Sequence, residues 1–275
     1  MELNHEAILK LLPDRNVCSH KGDFGKILLL CGSRGYTGAA ALSAMGALRC
    51  GAGLVYLGVP ENIYLIEAIK LDEPVVLPIP DDVEEAVAYI CTLLPKMDAV
   101  LAGPGMGCND RTFAIVEAVL REFSRPVVLD ADGINVLSGH IDILRGRTGA
   151  TILTPHEGEF CRIGGQLSMD RVLSAKQLAD ATNSIVLLKG NRTVITDGAN
   201  TYINPTGNPG MAVGGSGDVL AGMITALLGQ GLLPLEAAAC GAWLHGAAGD
   251  ICAEEIGQYG MLPSDMLRVL PRLLK

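Results

Sequence analysis

The 275-residue chain has no G-x-x-x-x-G-K-[ST] stretch, no C-x-x-C pair, no basic cluster and no long apolar run free of polar residues. Each gap closes off a class of function. A Walker-type phosphate loop is excluded. The eight cysteines, at 18, 31, 50, 91, 108, 161, 240 and 252, sit partly in apolar runs such as LLLC. They predict reduced, buried thiols, no metal site and a cytoplasmic location. Lys and Arg are scattered and the net charge is −9, so nucleic acid is not an expected partner, since phosphate backbones need a clustered basic face. A small phosphate ligand stays open, because a few backbone amides can hold one. The opening MELNHEAILKLLPDR lacks a basic segment followed by a long apolar core, which predicts no signal peptide. The most apolar tract, LLPLEAAACGAWLHGAAG, is broken by Pro234, Glu236 and His245. It reads as a buried helix rather than a membrane span.

What is present is a sizeable apolar fraction, 49%, enough for a large core. There is no low-complexity segment, linker or clear repeat, so one domain over 1–275 is expected. Short apolar runs alternate with helical patterns. Strands are predicted at 26–31, 54–59, 75–79, 98–103, 126–130, 151–155 and 184–190. Helices are predicted at 38–51, from Pro60 onward, at 82–94, 111–123 and 169–182, and after Pro155. Continuous apolar strands between helices indicate an α/β fold, a mostly parallel central sheet covered on both faces. TVITDGANTYIN (193–204) has two alternating runs around Asp-Gly-Ala-Asn, which predicts an antiparallel hairpin at the sheet edge. Three helices are expected to finish the chain, at 218–228, 235–256 and 263–274.

Ligands in such sheets bind beyond the carboxyl ends of the strands. The turns there are CGSRGYTGAA, AGPGMG, DADGIN, TPHEGEF, KGNRT and GNPGMAVGGSGD. The first has glycines three apart, not the G-x-G-x-x-G of a dinucleotide fold. The last sets Gly214, Gly215 and Gly217 ahead of Asp218 at the mouth of a helix. Glycines let the backbone come close to a ligand, and amides at a helix start suit a phosphoryl group. Asp218 is then either a base for an attacking hydroxyl or a plain helix cap. Other positions carry similar pairs of readings. Lys189 is a phosphate partner or a solvated strand-end charge, and KGNRT is a ligand loop or a β-turn. Gly103 and Gly105 admit a ligand or merely turn the chain. His156 is a contact residue or structural. Glu159 caps a helix or reaches a cation through water. Asp130 and Asp132 bind a cation or touch substrate, with Asp132 alternatively an N-cap. His245 and Trp243 read as core, Trp243 alternatively as an oligomer contact, and His5, His20 and His140 carry no clear signal.

GNPGMAVGGSGDVLAGMI resembles the signature of the ribokinase-like fold, a three-layer sandwich in which a glycine-rich anion hole precedes a catalytic aspartate. More narrowly, HKGDFGKILLLCGSRGYTGAAALSAMGALRCGAGLV, AGPGMG, LDADGINVL, ILTPHEGEF, VLLKGNRTVITDG and NPTGNPGMAVGGSGDVLAGMITALL follow one another in this order. That set, over roughly residues 20 to 250, is similar to the ADP- or ATP-dependent NAD(P)H-hydrate dehydratases, which restore NADH or NADPH from the form with water added across a ring double bond. The resemblance implies Asp218 as base, with the amides of Gly215, Ser216 and Gly217 as anion hole. It implies hydrate contacts at Ala39 or Ala40, Gly105 and His156. It implies nucleotide contacts at Lys189, Gly190, Asn191, Arg192 and Thr193, shared with Gly217. It further implies Mg²⁺, ADP in preference to ATP, action on the S epimer, a homotetramer, and no membrane partner. Only about twenty residues precede the HKG motif, so a fused epimerase domain is not expected and a separate epimerase would be needed. The competing readings are a kinase of a vitamin-precursor alcohol, of the hydroxyethylthiazole or hydroxymethylpyrimidine type, and a non-catalytic dinucleotide-binding protein with Asp218 as cap.

Overall fold

In the run KILLL, alternate side chains leave the strand in opposite directions, and both sets find apolar partners. Ile27 and Leu29 join one buried cluster, Leu28 and Leu30 the other. That period-two split is what a sheet covered on both faces requires. The computed structural model describes residues 4–275. Seven parallel strands, β1 (Lys26–Leu30), β2 (Leu54–Pro60), β3 (Val75–Ile79), β4 (Ala99–Ala102), β5 (Val127–Leu129), β6 (Thr151–Leu153) and β7 (Ile185–Leu188), precede the antiparallel β8 (Val194–Thr196) and β9 (Thr201–Ile203). The nine-stranded order is β3-β2-β1-β4-β5-β6-β7-β8-β9. The expected edge hairpin is there. Because β1 sits between β2 and β4, the strand order reverses at β1 and β4, and a crevice opens beyond their carboxyl ends.

The helices are α1 (His5–Leu11), α2 (Thr37–Arg49), α3 (Glu61–Lys70), α4 (Val83–Leu93), α5 (Asp110–Glu122), α6 (Asp132–Asn135), α7 (Asp142–Arg145), α8 (Glu157–Arg162), α9 (Arg171–Thr182), α10 (Ser216–Gly229), α11 (Pro234–Glu255) and α12 (Pro263–Leu273). One face of the sheet carries α2, α10 and α11, the other α4, α5 and α9. Local chemistry sets the ends. Asn109, Asp82 and Asp170 cap α5, α4 and α9 through their side chains, and Pro occupies the first turn of α11 and α12. Three helices, α1, α6 and α7, were not anticipated by periodicity, being only 7, 4 and 4 residues long.

The small residues of α2 and α10 serve an internal contact. A Cβ on Gly46 would lie 2.5 Å from the Val219 carbonyl oxygen, and one on Gly222 would lie 2.0 Å from that of Ser43. The two backbones touch, which fixes α10 against the sheet. Gly222→Ala is therefore expected to cost roughly 2 kcal/mol, seen as a fall of about 5 °C in thermal unfolding. An unchanged melting temperature would contradict the close approach.

Several expectations change. α10 begins at Ser216, two residues before Asp218, because Gly215 adopts φ 96° and takes the N-cap position. The thiols are free but not uniformly buried: Cys18, Cys108 and Cys161 are exposed, Cys91 is half-buried, and Cys31, Cys50, Cys240 and Cys252 are buried. Cys18 and Cys108 lie in loops, and Cys161 lies on α8 but outside the core, so none of the three is held by apolar neighbours. Trp243 is buried and stacks on His5 at 5.3 Å, so both belong to the packing of α1 on α11. No helix among the described residues is long and apolar enough to cross a membrane.

Candidate functional site

A cavity of about 670 Å³ opens where α10 begins, between the β7–β8 turn, the loop after β9 and α11. Its wall includes Lys189, Gly190, Asn191, Arg192 and Thr193 from the turn, and Ser216 and Gly217 from α10. His156 and His245 also face it, with Met211, Leu220 and Ala242 forming apolar wall. Segments distant in sequence thus meet at one place.

The amides at the mouth of α10 are the first feature. Gly215 in the left-handed region turns the chain so that the helix points its start at the cavity; a Cβ there would also strike Leu42 at 2.4 Å. The Ser216 amide donates to the Val213 carbonyl at 3.3 Å. The amides of Gly215, Gly217 and Asp218 have no acceptor among the described residues, so they, rather than that of Ser216, are left for an anion.

The second feature is a buried charge cluster at the ends of β5, β6 and β7. Asp130 is 2% exposed. Its Oδ1 accepts from Thr154 Oγ1 at 2.6 Å and from Lys189 Nζ at 2.9 Å. Glu159 is 5% exposed, and its Oε2 lies 3.7 Å from the same ammonium. Lys189 is therefore not a solvated strand-end charge. Burial alone would lower its pKa, but Asp130 and Glu159 win and hold it above its ordinary value. A Cβ on Gly217 would sit 3.4 Å from Lys189 Nζ and 3.8 Å from Asp130 Oδ2, so the cation stands directly over the mouth of α10.

Asp218 lies in the first turn of α10, and its carboxylate makes no hydrogen bond among the described residues. A capping acid would accept from an N-cap amide, and this one does not, so the cap reading fails. Burial, then the charge of Asp130, push its pKa up to about 6, against the lowering pull of Lys189. A carboxylate poised near neutrality with a free acceptor suits proton removal.

His156 and Glu159 resolve their alternatives. His156 Nδ1 accepts from the Gly158 and Glu159 amides at 3.0 and 3.2 Å. Glu159 Oε2 accepts from the His156 amide at 2.9 Å. This reciprocal capping box starts α8, and it leaves the imidazole on the cavity wall. Asp132 is the first residue of α6, not its N-cap. Ala131 takes that place at φ 49°, and Asp132 Oδ2 accepts from the Gly107 amide at 2.8 Å. His245 is buried, as expected, at 7% exposure, and it also borders the cavity, with Nε2 3.4 Å from Ser216 Oγ. Burial holds its pKa down at about 4, so it is neutral at physiological pH.

The remaining expected positions lie apart from this cavity. Gly105 (φ 64°) faces Ala39, whose Cβ would be 2.8 Å from a Cβ on Gly105, beyond the ends of β1 and β4, where the strand order reverses. Ala40 is fully buried and packs on Gly32, so its side chain offers nothing to a ligand; Ala39, one position earlier and half-buried, is the residue turned toward Gly105.

The model of the NAD(P)H-hydrate dehydratase family (Carb_kinase) matches residues 27–272. The chain belongs to that family. It is 42% identical, over 275 residues, to a bifunctional NAD(P)H-hydrate repair enzyme Nnr of Moorella thermoacetica, covering 96% of this chain and 52% of the relative. The chain thus spans about half the length of the curated relatives it matches. An ADP/ATP-dependent NAD(P)H-hydrate dehydratase of Bacillus subtilis, co-crystallised with ATP and Mg²⁺, is 32% identical with a TM-score of 0.87, covering 98% of this chain and 96% of that one. A ribokinase-like superfamily protein of Enterococcus faecalis is 26% identical with a TM-score of 0.87, over 99% and 94%. The fold is accordingly ribokinase-like, as its sequence resemblance implied.

Proposed function

We propose that the protein dehydrates the S epimer of hydrated NADH or NADPH back to the dinucleotide, using a nucleoside phosphate, with ADP preferred and AMP and phosphate released. The observation that carries this reading is the free carboxylate of Asp218 beside free amides at the mouth of α10, with Lys189 above them. A ring hydroxyl is a poor leaving group. Transfer of the terminal phosphoryl group makes it a phosphate ester. Asp218 accepts the hydroxyl proton as its oxygen bonds to phosphorus and the nucleotide bridge breaks. The amides and Lys189 receive the negative charge. The ring nitrogen then supplies the electron pair that expels phosphate, and the neighbouring carbon loses its proton.

The nucleotide takes the cavity walled by Lys189–Thr193 and Gly217, and the hydrate lies toward Ala39, Gly105 and His156, so that Asp218 stands between the two. Among the described residues no group of three ligand-type side chains is placed to hold a metal ion, and Asp130 and Glu159 are already engaged by Lys189, Thr154 and the His156 amide. That donor set fits an Mg²⁺ that rides on the nucleotide phosphates, where it would neutralise phosphate charge. We further propose a homotetrameric, cytoplasmic enzyme. The kinase of a vitamin-precursor alcohol is not favoured, since the matching family is the dehydratase one.

The test is direct. Purified protein, Mg²⁺ and ADP or ATP are added to hydrated NADH and NADPH verified to contain the S epimer. Near-ultraviolet absorbance of the intact dihydronicotinamide should return, only with nucleotide and with release of phosphate. No recovery with either donor would overturn the proposal, and a stable phosphorylated product would point to an alcohol kinase.

A further inference from the structure

The turn Gly190–Thr193 walls the cavity, yet little within the turn itself holds its shape. Gly190 has φ 146° and Arg192 φ 53°, and the one internal bond there runs from Thr193 Oγ1 to the Gly190 carbonyl. Its fixing point lies outside the cavity. Arg171, the first residue of α9, donates from Nη2 to the Lys189 carbonyl at 2.9 Å and to that of Leu188 at 3.3 Å. Its Nη1 pairs with Glu157 Oε1 at 2.8 Å. A Cβ on Gly190 would come within 2.7 Å of Nη1, so the guanidinium lies against the glycine backbone. One planar fork therefore grips the last residues of β7, the bend of the turn and the first residue of α8.

Two features argue that stability alone does not account for this placement. A cation at a helix start opposes the helix dipole. Arg171 Nε is buried with no partner, which carries a cost. A residue that breaks two local rules at the edge of a binding cavity is where function is expected.

We infer that Arg171 is a positioning residue for the nucleotide: it holds the Lys189–Thr193 turn in its binding conformation and ties it, through Glu157, to the helix that His156 caps. The inference rests on the nucleotide occupying this cavity. Arg171 does not line the cavity, so its removal acts through the turn. Lysine can replace one of the contacts but not the fork.

The experiment measures ADP and ATP binding by calorimetry, and steady-state constants for both substrates, in wild type, Arg171→Ala and Arg171→Lys. The nucleotide Kd is expected to rise about tenfold in Arg171→Ala and about threefold in Arg171→Lys, with KM for the hydrate within about twofold. If Arg171→Ala does not fold, Arg171→Lys at an unchanged melting temperature decides. A nucleotide Kd within about twofold of wild type in a folded variant, or an equal rise in both substrates' constants, overturns the inference. Wild-type protein that binds neither nucleotide overturns instead the assignment of the cavity, and the inference with it.

Discussion

Asp218→Asn should lose about a thousandfold in turnover while binding nucleotide as well as the wild type or better. The substitution keeps the shape and removes both the proton acceptor and a negative charge from beside the mouth of α10. Binding should not suffer, because the amides and Lys189 are untouched. Rapid-quench or absorbance assays of turnover, set beside calorimetric nucleotide binding, separate the two effects. Turnover near the wild-type level would remove Asp218 from the chemistry.

The same carboxylate makes a stability prediction of opposite sign. Its pKa in the fold is about 6, raised by burial from its ordinary value of 3.8. The folded state thus prefers the protonated acid, so this group favours folding fully below its unfolded value and loses that contribution as pH rises through about 6. At pH 7.5 the ionised, partly desolvated Asp218 is a burden of about 1–2 kcal/mol after allowance for solvent screening. Asp218→Asn should accordingly melt a few degrees higher at pH 7.5, with the difference closing near pH 4. Wild-type kcat/KM should climb with pH up to about 6 and level off above it. A group retained at such a cost is a sign of function rather than of stability.

The frame was legible because its determinants are local or periodic. ILLL, AVLA and IVLL are apolar throughout, as a strand buried on both faces requires, and Asp-Gly between alternating runs marked the hairpin. The glycines before Asp218 marked the mouth of α10, although not its first residue, since a left-handed Gly215 at the cap looks in sequence like more loop. Other site features were not legible because they depend on pairs far apart in the chain. Lys189 and Asp130 are 59 residues apart, and a lysine at a strand end looks the same whether it meets water or a buried carboxylate. The alanine-rich neighbours of His245 marked it as buried, which it is, but not that it also borders the cavity. Arg171 carried a signal of sorts, a cation in a first helical turn, but its three partners lie 14 to 18 residues away. The motif resemblance supplied positions that the residues alone left open, and of Ala39 and Ala40 only Ala39 has its side chain turned toward Gly105.

Lys189→Ala should both unfold the protein more readily and abolish nucleotide-dependent turnover, for one electrostatic reason. The ammonium compensates two carboxylates that are nearly out of water, Asp130 at 2% and Glu159 at 5% exposure. Removing it leaves Thr154 and the His156 amide as their remaining donors. An uncompensated buried charge of this kind costs about 3 kcal/mol, or about 6–12 °C in melting temperature at pH 7.5. Adding Asp130→Asn should return part of that loss, because it deletes the charge left stranded, yet turnover should stay absent, because the phosphate still lacks its cation. That split, stability recovered without activity, distinguishes a lysine that merely neutralises a core from one that also faces the ligand. A Lys189→Ala protein with wild-type melting behaviour would contradict the buried cluster. The wild-type pair should hold across the neutral range. Lys189 is raised above its ordinary value of 10.5 by its acidic partners, so its contribution is complete below that value and disappears only as strongly alkaline pH passes its folded value.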